Sequence, residues 1–137
     1  SDEENRKMEL AIRRSHGDQV VECVDNDETA AVIANLVHAK KLVLMTSTEG
    51  IYRDPADPKT LVEQVTAKSM EELEEKVRQL QESCVGASRA GANGAKAKLE
   101  YALKSARQGT MVIIGHARHR LSDLVEGRVA CTRIGLE

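Results

Sequence analysis

The chain has no tryptophan, no phenylalanine and only two tyrosines, Tyr52 and Tyr101, among its 137 residues. A surface that holds nucleic acid by base stacking needs several aromatic faces, so that class is all but excluded. Net charge is also scarce: 20 Lys plus Arg against 22 Asp plus Glu leave −2. This argues against a protein that lives on phosphate-backbone contacts. The three cysteines, Cys23, Cys84 and Cys131, lie far apart and form no C-x-x-C pair. Neither a zinc knuckle nor a redox dithiol is indicated, and the odd count suits a reduced, cytoplasmic chain with cysteines as small buried hydrophobes. The longest apolar runs are a handful of residues, such as Leu42-Val43-Leu44-Met45, too short to span a bilayer. The acidic Ser1-Asp2-Glu3-Glu4 start shows no signal-peptide pattern.

What remains is a 41% apolar chain rich in Val, Leu, Ile and Ala, long enough for one domain or a large piece of one. Glu3 to Arg14 reads as a short helix broken at Gly17-Asp18, setting residues 1–18 apart as an N-terminal helical segment. Gln19 to Val24 reads as a strand and Thr29 to Ala39 as a helix. Lys41 to Thr46 is a buried strand, followed by a turn-rich loop from Ser47 to Lys59. A short strand is expected over Leu61 to Val65. The clearest helix runs from Ser69 to Ser83, where Ser69 and Glu72 form a capping box and Met70, Leu73, Val77 and Leu80 share a face. After a small-residue loop, a helix from about Gly94 to Arg107 ends at Gly109. Thr110 to Ile114 is a second buried strand, Arg120 to Glu126 a short helix, and Val129 to Ile134 a last strand. This alternation predicts an α/β fold of three αβα layers around a mainly parallel sheet, with ligands beyond the carboxyl ends of its strands.

Three segments carry polar chemistry. Asp25-Asn26-Asp27 places two carboxylates and an amide at a strand-to-helix junction, where they can cap the helix or orient a lysine or a metal-bound phosphate. Thr46 to Pro55 offers hydroxyls at a strand end, Gly50 for a turn and Tyr52 for stacking on a purine. Gly91-Ala92-Asn93-Gly94-Ala95-Lys96-Ala97-Lys98 joins small residues, an expected helix start and lysines, an anion-binding combination. It lacks the Walker spacing. His116 and His119 are three residues apart with no third ligand in sight, so no metal site is assigned. Arg118, His119 and Arg120 read as a solvated helix start.

In order, these segments resemble the second half of an amino acid kinase family protein, and the glutamate 5-kinases in particular. Asp25 to Ala31 resembles G-D-N-D-x-L-S-A. Leu42 to Pro55 resembles L-v-L-L-T-D-v-d-G-L-Y-x-x-D-P, and Gly91 to Lys98 resembles G-T-G-G-M-x-T-K. Gly115, Leu121, Leu124, Gly127 and Thr132 follow the closing G-R-x-x-x-x-L-x-x-l-l-x-G-x-x-x-G-T pattern.

The resemblance covers about residues 19–135 and implies that 19–137 is the nucleotide-binding half of such a kinase, using ATP and Mg²⁺ to form an acyl phosphate in amino-acid (proline) biosynthesis. It implies that Asn26 binds the amino-acid substrate and that Asp27 orients a catalytic lysine or contacts the transferring phosphoryl group. Thr46, Ser47 and Gly50 would meet the nucleotide, and Tyr52 and Asp54 would flank adenine and ribose. Ala92, Asn93, Gly94 and Lys98 would wrap the polyphosphate, with Lys98 neutralising the leaving phosphate.

Ser47 stands where the family has Asp, Asn93 and Ala95 replace Gly and Met, Ala92 and Ala97 replace two Thr, and Cys131 replaces Gly. The family's first-strand lysine and early glycine-rich loops have no counterpart, so the chain alone is expected not to turn over. It would need a missing N-terminal lobe or act as a homo-oligomer. A uridylate-kinase-like enzyme and a catalytically inactive nucleotide-binding or regulatory paralogue remain the alternatives. Neither nucleic acid nor membrane is an expected partner.

Overall fold

Two short runs of branched apolar residues form the centre of the molecule. They are β3 (Lys41–Thr46) and β5 (Met111–His116), parallel neighbours in register from Lys41↔Met111 to Thr46↔His116. Each is buried through its four middle residues, as expected for strands covered on both faces. The computed structural model describes residues 10–15, 18–24, 39–54, 57–85 and 89–137. Among them, β1 (Leu10–Ser15), β2 (Asp18–Val24), β4 (Gln64–Ala67) and β6 (Thr132–Leu136) complete a six-stranded sheet of order β1-β2-β3-β5-β6-β4. The β2–β3, β3–β5 and β4–β6 pairs are parallel, and the β1–β2 and β5–β6 pairs are antiparallel. The mainly parallel α/β sheet expected from the sequence is therefore present.

Side-chain alternation along the strands divides the core in two. Leu42, Leu44, Val112, Ile114 and Ile134 face the helices α1 (Met70–Val85) and α2 (Arg89–Arg107), which contribute Leu73, Val77 and Leu80, and Leu99, Ala102, Leu103 and Ala106. Val43, Met45 and Ile113 face the other way, onto Leu124 and Val125 of the short helix α3 (Leu121–Glu126). The result is the three-layer αβα arrangement.

Local signals account for several boundaries. Glu72 N–H donates to Ser69 Oγ at 3.3 Å at the start of α1, as the capping box requires. At the end of α2, Gly109 takes φ +83°, with Gly109 N–H on the Ala106 carbonyl and Thr110 N–H on that of Ser105, both at 3.0 Å. This is a Schellman closure, which favours glycine at the left-handed position.

Three expectations need correction. Leu10–Ser15 is a strand, not the end of a helix. Ser15 pairs with Asp18 in the antiparallel β1–β2 register, and pairing with β2 outweighs a loose helical pattern. Helix α2 begins at Arg89, five residues before Gly94, because Gly91 and Gly94 lower helix propensity without forbidding it. β4 and β6 lie a few residues beyond their expected starts. The helix expected over Thr29 to Ala39 falls almost wholly outside the described residues.

Candidate functional site

Beyond the carboxyl ends of β3 and β5 the chain makes two excursions that bind each other. Thr46, the last residue of β3, accepts at its carbonyl from Ala117 N–H at 2.9 Å. Three residues on, the half-buried Glu49 carboxylate accepts from Arg118 and, at 2.9 Å, from His119 Nε2. Arg118 N–H donates to His116 Nδ1 at 3.0 Å, and the His116 and His119 rings stand edge to face. The segment expected to be a solvated helix start is thus the counter-charge for the Ser47–Asp54 loop. A low-net-charge sequence gives no sign of this pairing, because Glu49 and Arg118 are 69 residues apart.

The loop is built from its own hydrogen bonds. Thr48 Oγ1 donates to the Gly50 carbonyl at 2.9 Å, and Glu49 N–H donates to the Tyr52 hydroxyl at 3.3 Å. Tyr52 pairs across to Leu61. Thr60 closes the outer end: its hydroxyl accepts from Asp54 N–H at 3.0 Å and lies 2.7 Å from the Asp57 carbonyl. At the base, fully buried Thr132 accepts from Ile51 N–H at 2.9 Å and donates to the Val62 carbonyl at 2.6 Å. Gly50 leaves no room for a side chain: a Cβ there would lie 2.3 Å from Thr132 Oγ1 and 3.1 Å from its backbone N. Thr132 appeared in the sequence only as part of a closing pattern, and its partners lie 70 and 81 residues away.

Among the expected site residues, Thr46 and Tyr52 are half-buried, Ser47 and Asp54 exposed and Gly50 buried, all on this one loop. Asn26 and Asp27 lie outside the described residues. Ala92, Asn93, Gly94 and Lys98 are in α2. That helix runs back toward the start of β5, so its N-terminus lies at the same end of the sheet as Thr46. Lys98 is nine residues into it, about 14 Å along its axis, and is half-buried. Lys96 instead borders a groove of about 440 Å³ between α1 and α2, with Arg78, Gln81 and Glu82. There Arg78 makes a two-pronged contact with Glu100 at 2.9 and 3.1 Å, which holds the Glu100 carboxyl below its ordinary range.

No cluster of three His, Cys, Asp or Glu side chains among the described residues is placed to hold a metal. Near the loop, Glu49 is committed to Arg118 and His119. No helix among the described residues is long and apolar enough to cross a membrane.

Comparison with known proteins agrees with this arrangement. An acetylglutamate kinase from Methanopyrus kandleri is 46% identical over 59 residues, covering 43% of this chain and 24% of that enzyme. A glutamate 5-kinase from Geobacillus kaustophilus is 35% identical over 115 residues, covering 82% of this chain and 29% of that one. The chain thus spans less than a third of these relatives. Carbamate kinase from Giardia lamblia bound to AMP-PNP superposes with TM-score 0.60 at 18% identity, over 92% of this chain and 37% of that one. N-acetylglutamate synthase from Neisseria gonorrhoeae, complexed with coenzyme A and L-arginine, gives 0.59 at 24% identity, over 84% and 24%. These two show the fold, which a kinase and a synthase share. The family model described as amino acid kinase matches residues 12–116, so the chain belongs to the amino acid kinase family.

Proposed function

We propose that this chain is the nucleotide-binding half of an ATP-dependent kinase with a carboxylate acceptor, of the glutamate 5-kinase type, that forms an acyl phosphate. The observation that carries this is the ordered Thr46–Asp54 loop at the carboxyl end of β3, where ligands sit in such sheets. It carries a half-buried Tyr52 and exposed Ser47. Thr46, Ser47 and Gly50 meet the nucleotide, Tyr52 and Asp54 flank base and ribose, and the first turns of α2, with Ala92, Asn93 and Gly94, approach the polyphosphate. Lys98 neutralises the leaving phosphate, Asn26 holds the acceptor and Asp27 orients the catalytic lysine or the transferring phosphoryl group. In such a transfer, catalysis is positioning and charge neutralisation, with Mg²⁺ bridging phosphate oxygens.

ATP or ADP with Mg²⁺ is expected to raise the melting temperature of the chain by mass action, while no glutamate-dependent ADP release occurs without the remaining lobe or a partner copy. Failure of millimolar nucleotide to shift the melt would overturn the kinase assignment. A second reading, a nucleotide-binding or regulatory paralogue without turnover, is favoured by α2 itself. Because this helix already starts at Arg89, the backbone N–H groups after Asn93 are taken up in its ladder. Ala92 and Ala97 also lack the hydroxyls that the kinase pattern has. Restored phosphorylation of glutamate by a longer chain containing this segment would exclude that reading.

A further inference from the structure

We propose that Thr132 is a positioning residue for the nucleotide loop, acting through Gly50 and Ile51 without touching the nucleotide itself. This rests on the nucleotide-binding reading above. Thr132 is fully buried, yet its hydroxyl is spent on neither solvent nor its own strand ladder. It accepts from Ile51 N–H at 2.9 Å and donates to the Val62 carbonyl at 2.6 Å, while Val62 N–H donates to the Ile51 carbonyl at 2.8 Å. One hydroxyl therefore ties the descending and returning arms of the loop to the first residue of β6. The same oxygen fills the space where a side chain at position 50 would stand, so the contact is one of shape as well as hydrogen bonding. Other polar contacts of the loop include the local bonds of Thr48 and Glu49 and the partly solvated pairing of Glu49 with Arg118 and His119. Ser47, Tyr52 and Asp54 all project from a backbone whose height above the sheet this hydroxyl sets.

The donor and acceptor requirement is specific. Serine supplies the same oxygen with the same two bonds; valine has nearly the same shape and supplies neither. The test compares wild type, Thr132→Ser and Thr132→Val in the whole chain, at a temperature where far-UV circular dichroism shows all three folded. Backbone amide exchange over residues 47–54 is read without ligand, and Mg-ADP affinity by calorimetry. Thr132→Val is expected to speed exchange in the loop at least tenfold while amides of β3 and β5 keep their protection, and to weaken Mg-ADP at least tenfold. Thr132→Ser stays within about threefold on both.

Should Thr132→Val fail to fold, Thr132→Ala removes the same two hydrogen bonds and is expected to give the same two effects. Unchanged loop exchange, or a loosened loop with unchanged affinity, overturns the proposal. Loss of β3 and β5 protection in step with the loop also overturns it, since the residue would then serve the fold at large. If the wild-type chain itself binds no Mg-ADP, the nucleotide reading falls, and the role of Thr132 toward a nucleotide falls with it. Binding by wild type that Thr132→Val leaves intact sinks the Thr132 role alone.

Discussion

His119 Nε2 stands 2.9 Å from one carboxylate oxygen of Glu49, and Arg118 donates to the other. The turn after β5 thereby grips the loop after β3. Arg118 is largely exposed, so this pairing is worth little in water, about 0.5–1 kcal/mol at most. A double-mutant cycle of Glu49→Ala and Arg118→Ala, read by urea denaturation, is expected to return a coupling of about that size. It should shrink toward zero in molar salt, where charges are screened within about 3 Å. A coupling that salt leaves unchanged would mean the contact is packing and not charge.

Gly115 sits inside β5 where α3 crosses it, and a Cβ there would come within 2.4 Å of Leu124 Cδ2. Leu124 is fully buried. Gly115→Ala is therefore expected to destabilise the chain by about 1–3 kcal/mol through overpacking, and Leu124→Ala by about 2–5 kcal/mol through a cavity. Because the two residues share one space, the double variant should lose less than the sum. Denaturant midpoints of the four proteins measure this, and strict additivity would show that the helix shifts freely.

How far such contacts are legible in the sequence follows from their range. The β3 and β5 runs, the Ser69 cap and the Gly109 stop are written in adjacent residues, and each appears where the pattern places it. The hairpin at β1 misleads because a few apolar residues fit two periods, and pairing with a distant strand decides between them. The start of α2 misleads because glycine weakens a helix by only about 1 kcal/mol, which contact with α1 and the sheet can outweigh. On the loop after β3, Thr46, Gly50 and Tyr52 belong to one local sequence motif. The contacts of Glu49, Arg118, His119 and Thr132 are not legible there, since their partners lie some 70 or more residues away, brought together by the strand order and not by any spacing.

Cys131 lies buried just before β6, and burial pushes its thiol above the ordinary range despite the nearby Arg133. Burial disfavours the thiolate, so the folded pKa exceeds the unfolded one. The sign is then fixed: this contribution to stability is complete below the ordinary thiol pKa, about 8.5. It declines as pH rises from there through the folded value. Peptide mass spectrometry after iodoacetamide treatment at pH 7.5 is expected to find Cys131 unlabelled in the native chain and fully labelled in urea. Rapid native labelling would show that the thiol is accessible.

Arg78 and Glu100 join α1 to α2 with the opposite sign. The guanidinium holds the Glu100 carboxyl down, so the pair contributes above the ordinary carboxylate pKa and is lost as pH falls through the depressed folded value. Both side chains are about two-fifths exposed, which limits the gain to under about 1 kcal/mol. Glu100→Gln should flatten the stability curve between about pH 5 and pH 3 with little change at pH 8 beyond that amount. An unchanged acid limb would mean the pair carries no net energy.

Tyr52 separates two ways in which the loop can serve a nucleotide. Its hydroxyl accepts from Glu49 N–H at a long 3.3 Å, a geometry worth well under about 1 kcal/mol. The ring, half-buried and anchored opposite Leu61, is the part able to stack on a base, worth about 1–3 kcal/mol. Tyr52→Ala is therefore expected to weaken Mg-ADP binding about 5- to 150-fold, while Tyr52→Phe stays within about threefold of wild type. Equal losses in the two variants would assign the contact to the hydroxyl, and no loss in either would remove Tyr52 from the nucleotide site.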